Sequence, residues 1–588
     1  MTEVLAAKSL AEGLVSAAMG RVLPPSLSRR DPVVRASEHA DFQSNVALSL
    51  AGSAGTTPRA LAQSLRQELD GGPLLASLSG PGFLNLTLAD SALWSLLADR
   101  SADPRLGVGR PLAGVRTVVD YSGPNIAKEM HVGHLRTTVI GDSLVRVLAF
   151  LGADVVRQNH LGDWGTQFGM LIQYLDEHPE APWRCSDPTV ADAGDQVSAL
   201  DGLYRVARGA FTADPGFAER ARRRVVALQA GDEATLAVWR DLVAVSSEAF
   251  QLLYDRLGVQ LTRADEAAES SYNPYLDEIT EALVAAGIAV ESDGALCVFF
   301  DDVTGPDGEP VPLIVRKDDG GFGYAATDLA TLRHRVDTLK ADRILYVVDA
   351  RQALHFRMVF ATARRAGWLP DRVEAVHVPF GTVMGPGGTP FKTRAGGTVR
   401  LSELLDAAED GARAALAEKS HDLTGAELER VARAAGIGAV KYADLSTSRA
   451  KNYVFDIDQM VSLQGNTGVY MQYAHARVRA ILRKAPEGAL DRGVDTALPL
   501  HPAERALILL LDGFGAVVGE VGREWEPHRL CGYLFALAKA FTEFYGDCPV
   551  LKAPTEELRS NRLVLCRLTG DTLARGLDLL GVEAPERI

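Results

Sequence analysis

The stretch Asp120-Tyr-Ser-Gly-Pro-Asn125-Ile-Ala-Lys128-Glu-Met-His131-Val-Gly-His134-Leu-Arg136 joins two segments of different periodicity. The segment before it, residues 115–119, is mainly apolar, as expected of a buried strand. The segment after it repeats apolar residues at helical spacing as far as Leu151 and then meets Gly152, a favoured residue at a helix end. Val155 and Val156 resume the strand pattern, so the order predicts a βαβ unit.

The start of the predicted helix carries two histidines that can share one ligand. A helix N-terminus presents unpaired backbone N–H groups and a partial positive charge, which suit a phosphate. His131 and His134 lie one helical turn apart, and imidazole N–H groups can stabilise negative charge at a phosphorus centre. Gly133 leaves room for a flat adenine ring against the backbone. Taken alone, the motif also fits a capped helix whose histidines bond only neighbouring backbone.

Length and composition restrict the class of protein. A chain of 588 residues can form three or four domains, and 47% apolar with 23% charged residues is typical of a globular protein. The longest aliphatic run, residues 507–511, is too short to span a bilayer, and the N-terminus lacks a secretory pattern, so we expect no membrane segment. Five scattered cysteines favour a reducing cytoplasm over a disulfide framework or a zinc site. The net charge of −15 argues against indiscriminate nucleic-acid coating and leaves a specific RNA partner open.

The pattern of strands and helices predicts an α/β protein in three parts. We expect a small α+β domain over residues 1–110 and an all-α domain over 402–588. Between them, residues 111–401 are predicted to form a Rossmann-like doubly wound sheet with a mainly helical insertion at about 185–290. Later strands of this sheet are predicted at 343–348 and 375–378, with a crossover helix over 354–366.

Two glycine-rich loops follow predicted strands. His160-Leu-Gly-Asp-Trp-Gly-Thr-Gln167 lies at the sheet edge where α/β proteins bind ligands, although a structural turn with a buried tryptophan explains it equally well. The second loop, residues 384–397, presents Lys392, Thr393 and Arg394 between glycines. Two cations and a hydroxyl on a mobile loop can clamp a triphosphate, and a solvated surface turn is the alternative.

A third pattern indicates an acidic pocket. Tyr324 and Asp328 are four residues apart, so on a helical turn they share a face. Together with Asp120 they could bind a cationic ligand, in which Asp328 would pair with a guanidinium in bidentate fashion. The alternative is that Asp328 only interacts favourably with the dipole of its own helix.

These motifs together resemble those of a known family. His131-Val-Gly-His134 and Phe391-Lys-Thr-Arg394 are similar to the two signature motifs of class I aminoacyl-tRNA synthetases. Three further runs resemble specifically the arginyl-tRNA synthetases of bacterial type: Ser122-Gly-Pro-Asn-Ile-Ala-Lys128, Gly162-Asp-Trp-Gly-Thr-Gln167 and Tyr470-Met-Gln-Tyr-Ala-His-Ala-Arg477. The resemblance covers nearly the whole chain, from residues 40–45 to the closing residues 586–588.

The resemblance implies a ligase that acts in two steps. Arginine and ATP would form arginyl-adenylate and pyrophosphate, with bound tRNA needed for this step, and arginine would then pass to the 3′-terminal ribose of tRNA(Arg). The residues implied in catalysis are His131, His134, Lys128, Lys392 and Arg394, and Lys128 would supply an ammonium that the loop lacks because it has Arg394. ATP would be bound by His131, Gly133, His134 and Thr393. L-Arginine would be bound by Asp120, Ser122, Asn125, Tyr324, Asp328 and Gln352.

The resemblance also implies how tRNA is held. The N-terminal domain would contact the corner loop of tRNA through Phe83 and Asn85, and the C-terminal helices would bind the anticodon through Tyr473, Arg477 and Lys484. A solvated amphipathic face is the alternative for the C-terminal set. Mg²⁺ would accompany ATP without a dedicated protein metal site. We expect a monomer, because no dimerisation heptad is visible.

Two other functions share these motifs. A paralogue could adenylate arginine or an analogue for a biosynthetic pathway, and would carry the same residues. A non-catalytic tRNA-binding protein could use the same scaffold, but it would be expected to lose His131, His134, Lys128 or Asp328, and all four are present.

Overall fold

The computed structural model describes residues 6–181, 193–304, 308–385, 388–389, 399–419 and 423–588. The loop residues Lys392, Thr393 and Arg394, predicted for ATP binding and catalysis, lie outside the described residues, as does Cys185.

The N-terminal part is an antiparallel sheet covered by helices, with strand order β1-β2-β4-β3. Its elements are α1 (Ala7–Val22), α2 (Pro25–Ser28), β1 (Val34–Ala36), β2 (Phe42–Ser44), α3 (Val46–Leu50), α4 (Pro58–Leu69), β3 (Leu74–Ser79), β4 (Phe83–Leu88) and α5 (Asp90–Ala102). Alternate residues of β4 face the core, so Leu84, Leu86 and Leu88 are buried. Phe83 and Asn85 therefore lie on the opposite face and are half-buried.

The middle part contains the predicted alternation of strands and helices. Its elements are β5 (Arg116–Asp120), α6 (Val132–Phe150), β6 (Asp154–Gln158), α7 (Thr166–Glu177), α8 (Ala193–Ala213), α9 (Pro215–Gln229), α10 (Glu233–Leu257), α11 (Leu276–Ala285), β7 (Val290–Ser292), β8 (Ala295–Val298), β9 (Leu313–Arg316), α12 (Tyr324–Asp337), β10 (Arg343–Tyr346), α13 (Ala353–Arg365), β11 (Glu374–His377) and β12 (Val383–Met384). Among the residues described in this part, 3₁₀ segments also occur at Arg263–Asp265, Glu269–Tyr275 and Ala350–Gln352.

A parallel sheet in the order β11-β10-β5-β6 forms the centre of this part, and it confirms the predicted α/β class. The chain moves from β5 to β6 on one side and later returns to add β10 and β11 on the other side. The strand order therefore reverses beside β5, and a ligand site is expected at the carboxyl ends of β5 and β10. Asp120 and Tyr346 are paired at this edge.

The predicted βαβ unit is confirmed as β5, α6 and β6. The later strands are close to the prediction, although β10 ends at Tyr346, two residues earlier than expected, because the chain turns there into the segment that carries Asp349. The crossover helix is α13.

The small antiparallel sheet β7-β8-β9 was not predicted. Its strands have only three or four residues, too few for a clear alternation. Asp293 and Gly294 join β7 to β8 with φ angles of 50° and 80°. An Asp-Gly pair is a strong hairpin signal, and it is the feature of the sequence that could have revealed this sheet.

The insertion is mainly helical, as predicted, and consists of α8, α9 and α10 packed on α7. The longest of these, α10, ends where Gly258 adopts a left-handed φ of 63°, a conformation that favours glycine. The boundaries of the three parts at residues 110 and 401 stay predictions.

In the described residues of the C-terminal part, the one strand is β13, which pairs with β12, and the other elements are helices. Its elements are α14 (Leu401–Lys419), α15 (Gly425–Ser446), β13 (Tyr453–Val454), α16 (Ile457–Met460), α17 (Gly468–Arg483), α18 (Pro502–Asp512), α19 (Phe514–Glu524), α20 (His528–Asp547) and α21 (Glu556–Leu579). Buried ion pairs attach the N-terminal part to these helices, such as Arg100 with Asp512 at 2.6 Å. Within the described ranges, no helix is long and apolar enough to cross a membrane.

Helix α6 is clamped between the sheet and the C-terminal helices by a charged contact. Arg136, on its second turn, is fully buried and lies 3.2 Å from the equally buried Asp444 of α15. Its guanidinium also donates to the carbonyl of Lys451 at 2.8 Å and lies 5.3 Å from the ring centre of Tyr453. The start of α6 is therefore fixed by a contact that reaches across the molecule.

Replacing Asp444 by asparagine is expected to lower the free energy of unfolding by about 3–5 kcal/mol, because the buried Arg136 charge would lose its counter-ion. Urea unfolding followed by tryptophan fluorescence measures this change. The matched control is Glu583→Gln, since Glu583 pairs with Arg430 at an exposed position and should change stability by less than about 1 kcal/mol. Equal effects of the two substitutions would contradict the prediction.

Candidate active site at the carboxyl end of the parallel sheet

The loop after β5 holds two residues in a conformation that only glycine adopts readily. Ser122 and Ala127 have φ angles of 71° and 61°. Ser122 is held by Thr137, whose Oγ1 accepts its backbone N–H at 3.0 Å, and by the hydroxyl of Tyr254 at 2.8 Å from its Oγ. Ala127 donates its backbone N–H to Ser246 Oγ at 3.0 Å. Since Tyr254 and Ser246 belong to α10, the helical insertion fixes the shape of this loop.

The two histidines cap the start of α6 through the same ring nitrogen. The backbone N–H of Gly133 donates to Nδ1 of His131 at 3.0 Å, and the backbone N–H of His131 donates to Nδ1 of His134 at 3.1 Å. A nitrogen that accepts a hydrogen bond carries no proton, so the proton of each neutral ring is on Nε2. The capped-helix alternative and the phosphate-binding prediction are therefore compatible, because capping uses Nδ1 and leaves Nε2–H as a donor.

The electrostatic surroundings keep both rings neutral. Burial, and secondarily the charge of Lys128, lower the pKa of His131. Burial, followed by His131 and Lys128, lowers the pKa of His134 to about 3. The ring centres lie 4.0 Å apart, so the two Nε2–H groups belong to one compact donor pair.

Gly133 is required by the histidines themselves. A Cβ atom at this position would lie 2.7 Å from Cε1 of His131, which is closer than side chains tolerate. A side chain there would displace the His131 ring and break its hydrogen bond to the backbone. The predicted reason for a glycine at position 133 is that adenine would approach the backbone there. The contact with His131 is a second reason, and both can apply.

The predicted pair Tyr324 and Asp328 lies on one face of α12, as expected from its spacing. Tyr324 is the first residue of the helix and is 77% exposed, so its ring is accessible to a ligand. Asp328 lies beyond the first turn and accepts a hydrogen bond from Nε2 of His355 at 2.6 Å. This position weakens the alternative that Asp328 only serves the helix dipole, because that effect is confined to the first turn.

A third acid of this pocket, Glu269, was not predicted from the sequence. Burial, followed by the charges of Asp163 and Asp328, raises the pKa of Glu269 to about 8. Burial and the charge of Glu269 in turn raise the pKa of Tyr324. Glu269, Asp163 and Asp328 therefore share one electrostatic environment that favours a bound cation. Glu269 has no motif around it, and only the fold brings it to Asp328.

Asp120 has a partner that the sequence did not suggest. Its Oδ2 accepts a hydrogen bond at 2.9 Å from Arg335, whose side chain is completely buried. The charge of Asp120 is thus largely offset within the protein. The other predicted carboxylate, Asp328, pairs with His355, and no arginine among the described residues forms an ion pair with it.

The loop 160–167 directly contacts residues 121–131, the segment between β5 and α6 that we call the signature loop. Asn125 and Gly162 form a parallel bridge, and a Cβ on Gly162 would lie 2.4 Å from Oδ1 of Asn125. Asp163 accepts hydrogen bonds from the backbone and hydroxyl of Ser270 at 2.9 and 2.6 Å, next to Glu269 in the chain. This loop therefore has a structural role, since it joins the signature loop to the acidic pocket.

The remaining predicted arginine ligand, Gln352, is exposed at the end of the 3₁₀ segment that follows β10. It lies beyond the carboxyl end of β10, which is the strand next to β5 in the sheet. Within the described part of the chain, no group of three His, Cys, Asp or Glu residues is arranged to hold a metal ion.

The residues predicted for tRNA binding lie on two accessible surfaces. Asn85 accepts a hydrogen bond from the side chain of Gln43 at 2.8 Å, beside the half-buried Phe83. On α17, Tyr473 is 42% exposed, and Lys484 directly follows the helix.

A further aromatic residue, Tyr545 of α20, belongs to the second surface. The guanidinium of Arg477 lies 4.7 Å from its ring centre, and the ring is 37% exposed. The sequence did not indicate this residue, because it is far from α17 along the chain.

Comparison with protein families agrees with this arrangement. Residues 112–457 match the family described as tRNA synthetases class I (R), catalytic domain. Residues 471–588 match the DALR anticodon binding domain, and residues 8–88 match the arginyl tRNA synthetase N terminal domain.

Individual proteins match over nearly their full length. The chain is 64% identical over 578 residues to an arginine–tRNA ligase of Frankia casuarinae, covering 98% of this chain and 97% of the relative. It is 53% identical over 570 residues to an arginine–tRNA ligase of Streptomyces avermitilis, covering 96% of each.

Solved structures show the same fold. The arginyl-tRNA synthetase of Plasmodium falciparum superposes with a TM-score of 0.80 at 26% identity, covering 100% of both chains. The Thermus thermophilus arginyl-tRNA synthetase gives a TM-score of 0.79 at 26% identity, covering 99% of this chain and 100% of that one. The chain therefore belongs to the arginyl-tRNA synthetase family of class I.

Proposed function

We propose that the chain is an arginine–tRNA ligase. It activates L-arginine with ATP to arginyl-adenylate and pyrophosphate and then transfers arginine to the 3′-terminal ribose of tRNA(Arg). The observation that carries this proposal is the pair of neutral histidines at the start of α6. The 160–163 turn contacts Asn125 of the loop that leads to this pair, and its Asp163 bonds Ser270, the neighbour of Glu269 in the acidic pocket with Asp328. The pair suits a phosphate and the pocket suits a guanidinium, as the reaction requires.

In the first step, a carboxylate oxygen of arginine attacks the α-phosphorus of ATP, and the bond between this phosphorus and the bridging oxygen of pyrophosphate breaks. Negative charge grows on the non-bridging oxygens during the displacement. The Nε2–H groups of His131 and His134 and the partial positive charge at the N-terminus of α6 stabilise that charge. Because both rings are neutral beforehand, each donates a hydrogen bond without transferring a proton. Gly133 keeps the His131 ring in place.

The acidic pocket provides the selectivity. Asp328 and Glu269 bind the two sides of the guanidinium, and Tyr324, Asn125, Ser122 and Gln352 complete the contacts to arginine. Neutral amino acids are rejected because they would leave the half-buried Asp328 carboxylate without a guanidinium partner. Lysine is disfavoured because an ammonium cannot pair with two carboxylates through a planar fork. Asp120 contributes by pairing with the buried Arg335 at the carboxyl end of β5.

The remaining assignments rest on the sequence and on the family. Lys392, Thr393 and Arg394 would close on the triphosphate, and Mg²⁺ would arrive with ATP. Phe83 and Asn85 would bind the corner loop of tRNA, and Tyr473, Arg477 and Lys484 would bind the anticodon, with Tyr545 as an added stacking surface. Bound tRNA would be required for adenylate formation.

We also propose a monomer that acts in the cytoplasm. The monomer is supported by the absence of a dimerisation heptad in the sequence. The compartment is supported by the cysteines, because Cys297, Cys531, Cys548 and Cys566 are all buried thiols without a disulfide.

Arginine-dependent ATP–pyrophosphate exchange tests the function. We expect exchange only when arginine and tRNA(Arg) are both present, and none with lysine in place of arginine. Exchange with arginine alone would favour the tRNA-independent adenylating paralogue. A lack of exchange under all conditions, with tRNA binding retained, would favour the non-catalytic protein.

Arginine binding is expected to release close to one proton per molecule at pH 7. Glu269, with a pKa of about 8, is mainly protonated in the free protein at this pH and must ionise when the guanidinium arrives. The release should decrease as the pH rises above 8, where Glu269 is already ionised. Calorimetric titration in buffers of different ionisation enthalpy measures the number of protons.

The Glu269→Gln variant should release no proton on binding arginine. The matched control is Glu278→Gln, because Glu278 is an exposed acid nearby that pairs with Arg333 at 2.8 Å. Proton release that persists in Glu269→Gln would show that another group ionises and would remove Glu269 from the pocket.

A further inference from the structure

Lys128 has a fixed backbone and a side chain with an unusual partner. On one side, the backbone N–H of Ala127 is bonded to Ser246 of α10. On the other side, Glu129 forms an ion pair with Arg400 at 2.6 Å. The backbone of Lys128 therefore cannot shift far, and the position of its ammonium depends on what its long side chain contacts.

That contact is the aromatic face of Tyr204 in α8. The Nζ atom of Lys128 lies 4.7 Å from the centre of the Tyr204 ring, well within the range of a cation–π interaction. Tyr204 is half-buried and packs against the hydrophobic core, so its ring is held in place. Lys128 forms no ion pair with any carboxylate in the described ranges of the chain.

The charge of this ammonium acts on the histidine pair. It contributes to the lowered pKa of His131 and also to that of His134. Lys128 is thus close enough to influence a phosphate bound at the same place. An aromatic ring suits this purpose better than a carboxylate would, because a ring attracts the ammonium without neutralising it. The full positive charge stays available to the triphosphate.

We propose that Tyr204 is a positioning residue, whose ring holds the Lys128 ammonium beside His131 and His134 for adenylate formation. This inference rests on the proposed function, since it assumes that ATP binds at the histidine pair. It gives the helical insertion a direct part in the chemistry, because α8 sets the position of a charge at the reacting phosphate. The contacts of α10 with the site, such as Ser246 with Ala127 and Tyr254 with Ser122, shape the loop after β5.

Three variants test the role of the ring. Tyr204→Leu removes the aromatic face and keeps an apolar side chain that suits a helix. Tyr204→Phe keeps the face and removes only the hydroxyl. The matched control is Phe211→Leu, because Phe211 lies two turns further along α8 and makes a similar contact with Arg222 at 5.6 Å, away from Lys128.

The kinetic readout is the maximal rate and KM of arginine-dependent pyrophosphate exchange, with tRNA present. Tyr204→Leu is expected to lower the maximal rate roughly five- to tenfold with an unchanged KM for arginine, since a cation–π contact has about that strength. Tyr204→Phe should restore most of the rate, and Phe211→Leu should match the wild type. A rise in KM for arginine, or an equal loss in Phe211→Leu, would indicate a general disturbance of the insertion and would overturn the inference.

A double-mutant cycle with Lys128→Met separates positioning from structure. If Tyr204 acts through Lys128, Tyr204→Leu should have almost no further effect in the Lys128→Met background. The same loss in both backgrounds would overturn the inference, even if Tyr204 matters for stability. If the wild type catalyses exchange and Tyr204→Leu has the same exchange rate, this inference alone is overturned. If the wild type catalyses no exchange, the proposed function and the inference are overturned together.

Discussion

Two backbone hydrogen bonds at the start of α6 determine the chemistry of the site. The N–H groups of Gly133 and His131 donate to Nδ1 of His131 and His134, so the proton of each neutral ring is on Nε2. These bonds satisfy donors that every helix N-terminus leaves unpaired, and the same bonds select the tautomer that can donate to a phosphate. Burial then holds both rings neutral. Structural capping and ligand binding are thus one arrangement.

The rest of the site is prepared around this pair before a substrate arrives. Left-handed conformations at Ser122 and Ala127 cost about 1–3 kcal/mol each, and hydrogen bonds from α10 and α6 hold them. On the far side of the 160–163 turn, burial, followed by the charges of Asp163 and Asp328, raises the pKa of Glu269 to about 8 and so keeps its carboxyl mainly protonated at neutral pH. The site therefore combines a pair of hydrogen-bond donors that suits an anion with an acidic pocket that suits a cation. ATP would supply the anion and the guanidinium of arginine the cation.

The sequence predicted what depends on local spacing and missed what depends on the fold. The βαβ unit, the parallel sheet and the shared face of Tyr324 and Asp328 follow from periodicity, and the structure confirms them. Glu269 could not be predicted, because a long helical insertion separates it from the signature loop in sequence. The pairing of Asp120 with Arg335 was missed for the same reason. The hairpin at Asp293 and Gly294 is different, since its turn signal was present in the sequence.

The tautomer and charge of the two histidines are the central claim, and nitrogen NMR of protein labelled with ¹⁵N-histidine measures them directly. The signals of His131 and His134 can be assigned by comparison with His131→Asn and His134→Asn variants. At pH 7, both residues should show an unprotonated Nδ1 and a protonated Nε2, and His134 should keep this pattern down to about pH 4. A proton on Nδ1 of either residue, in the neutral or the charged ring, would contradict the account.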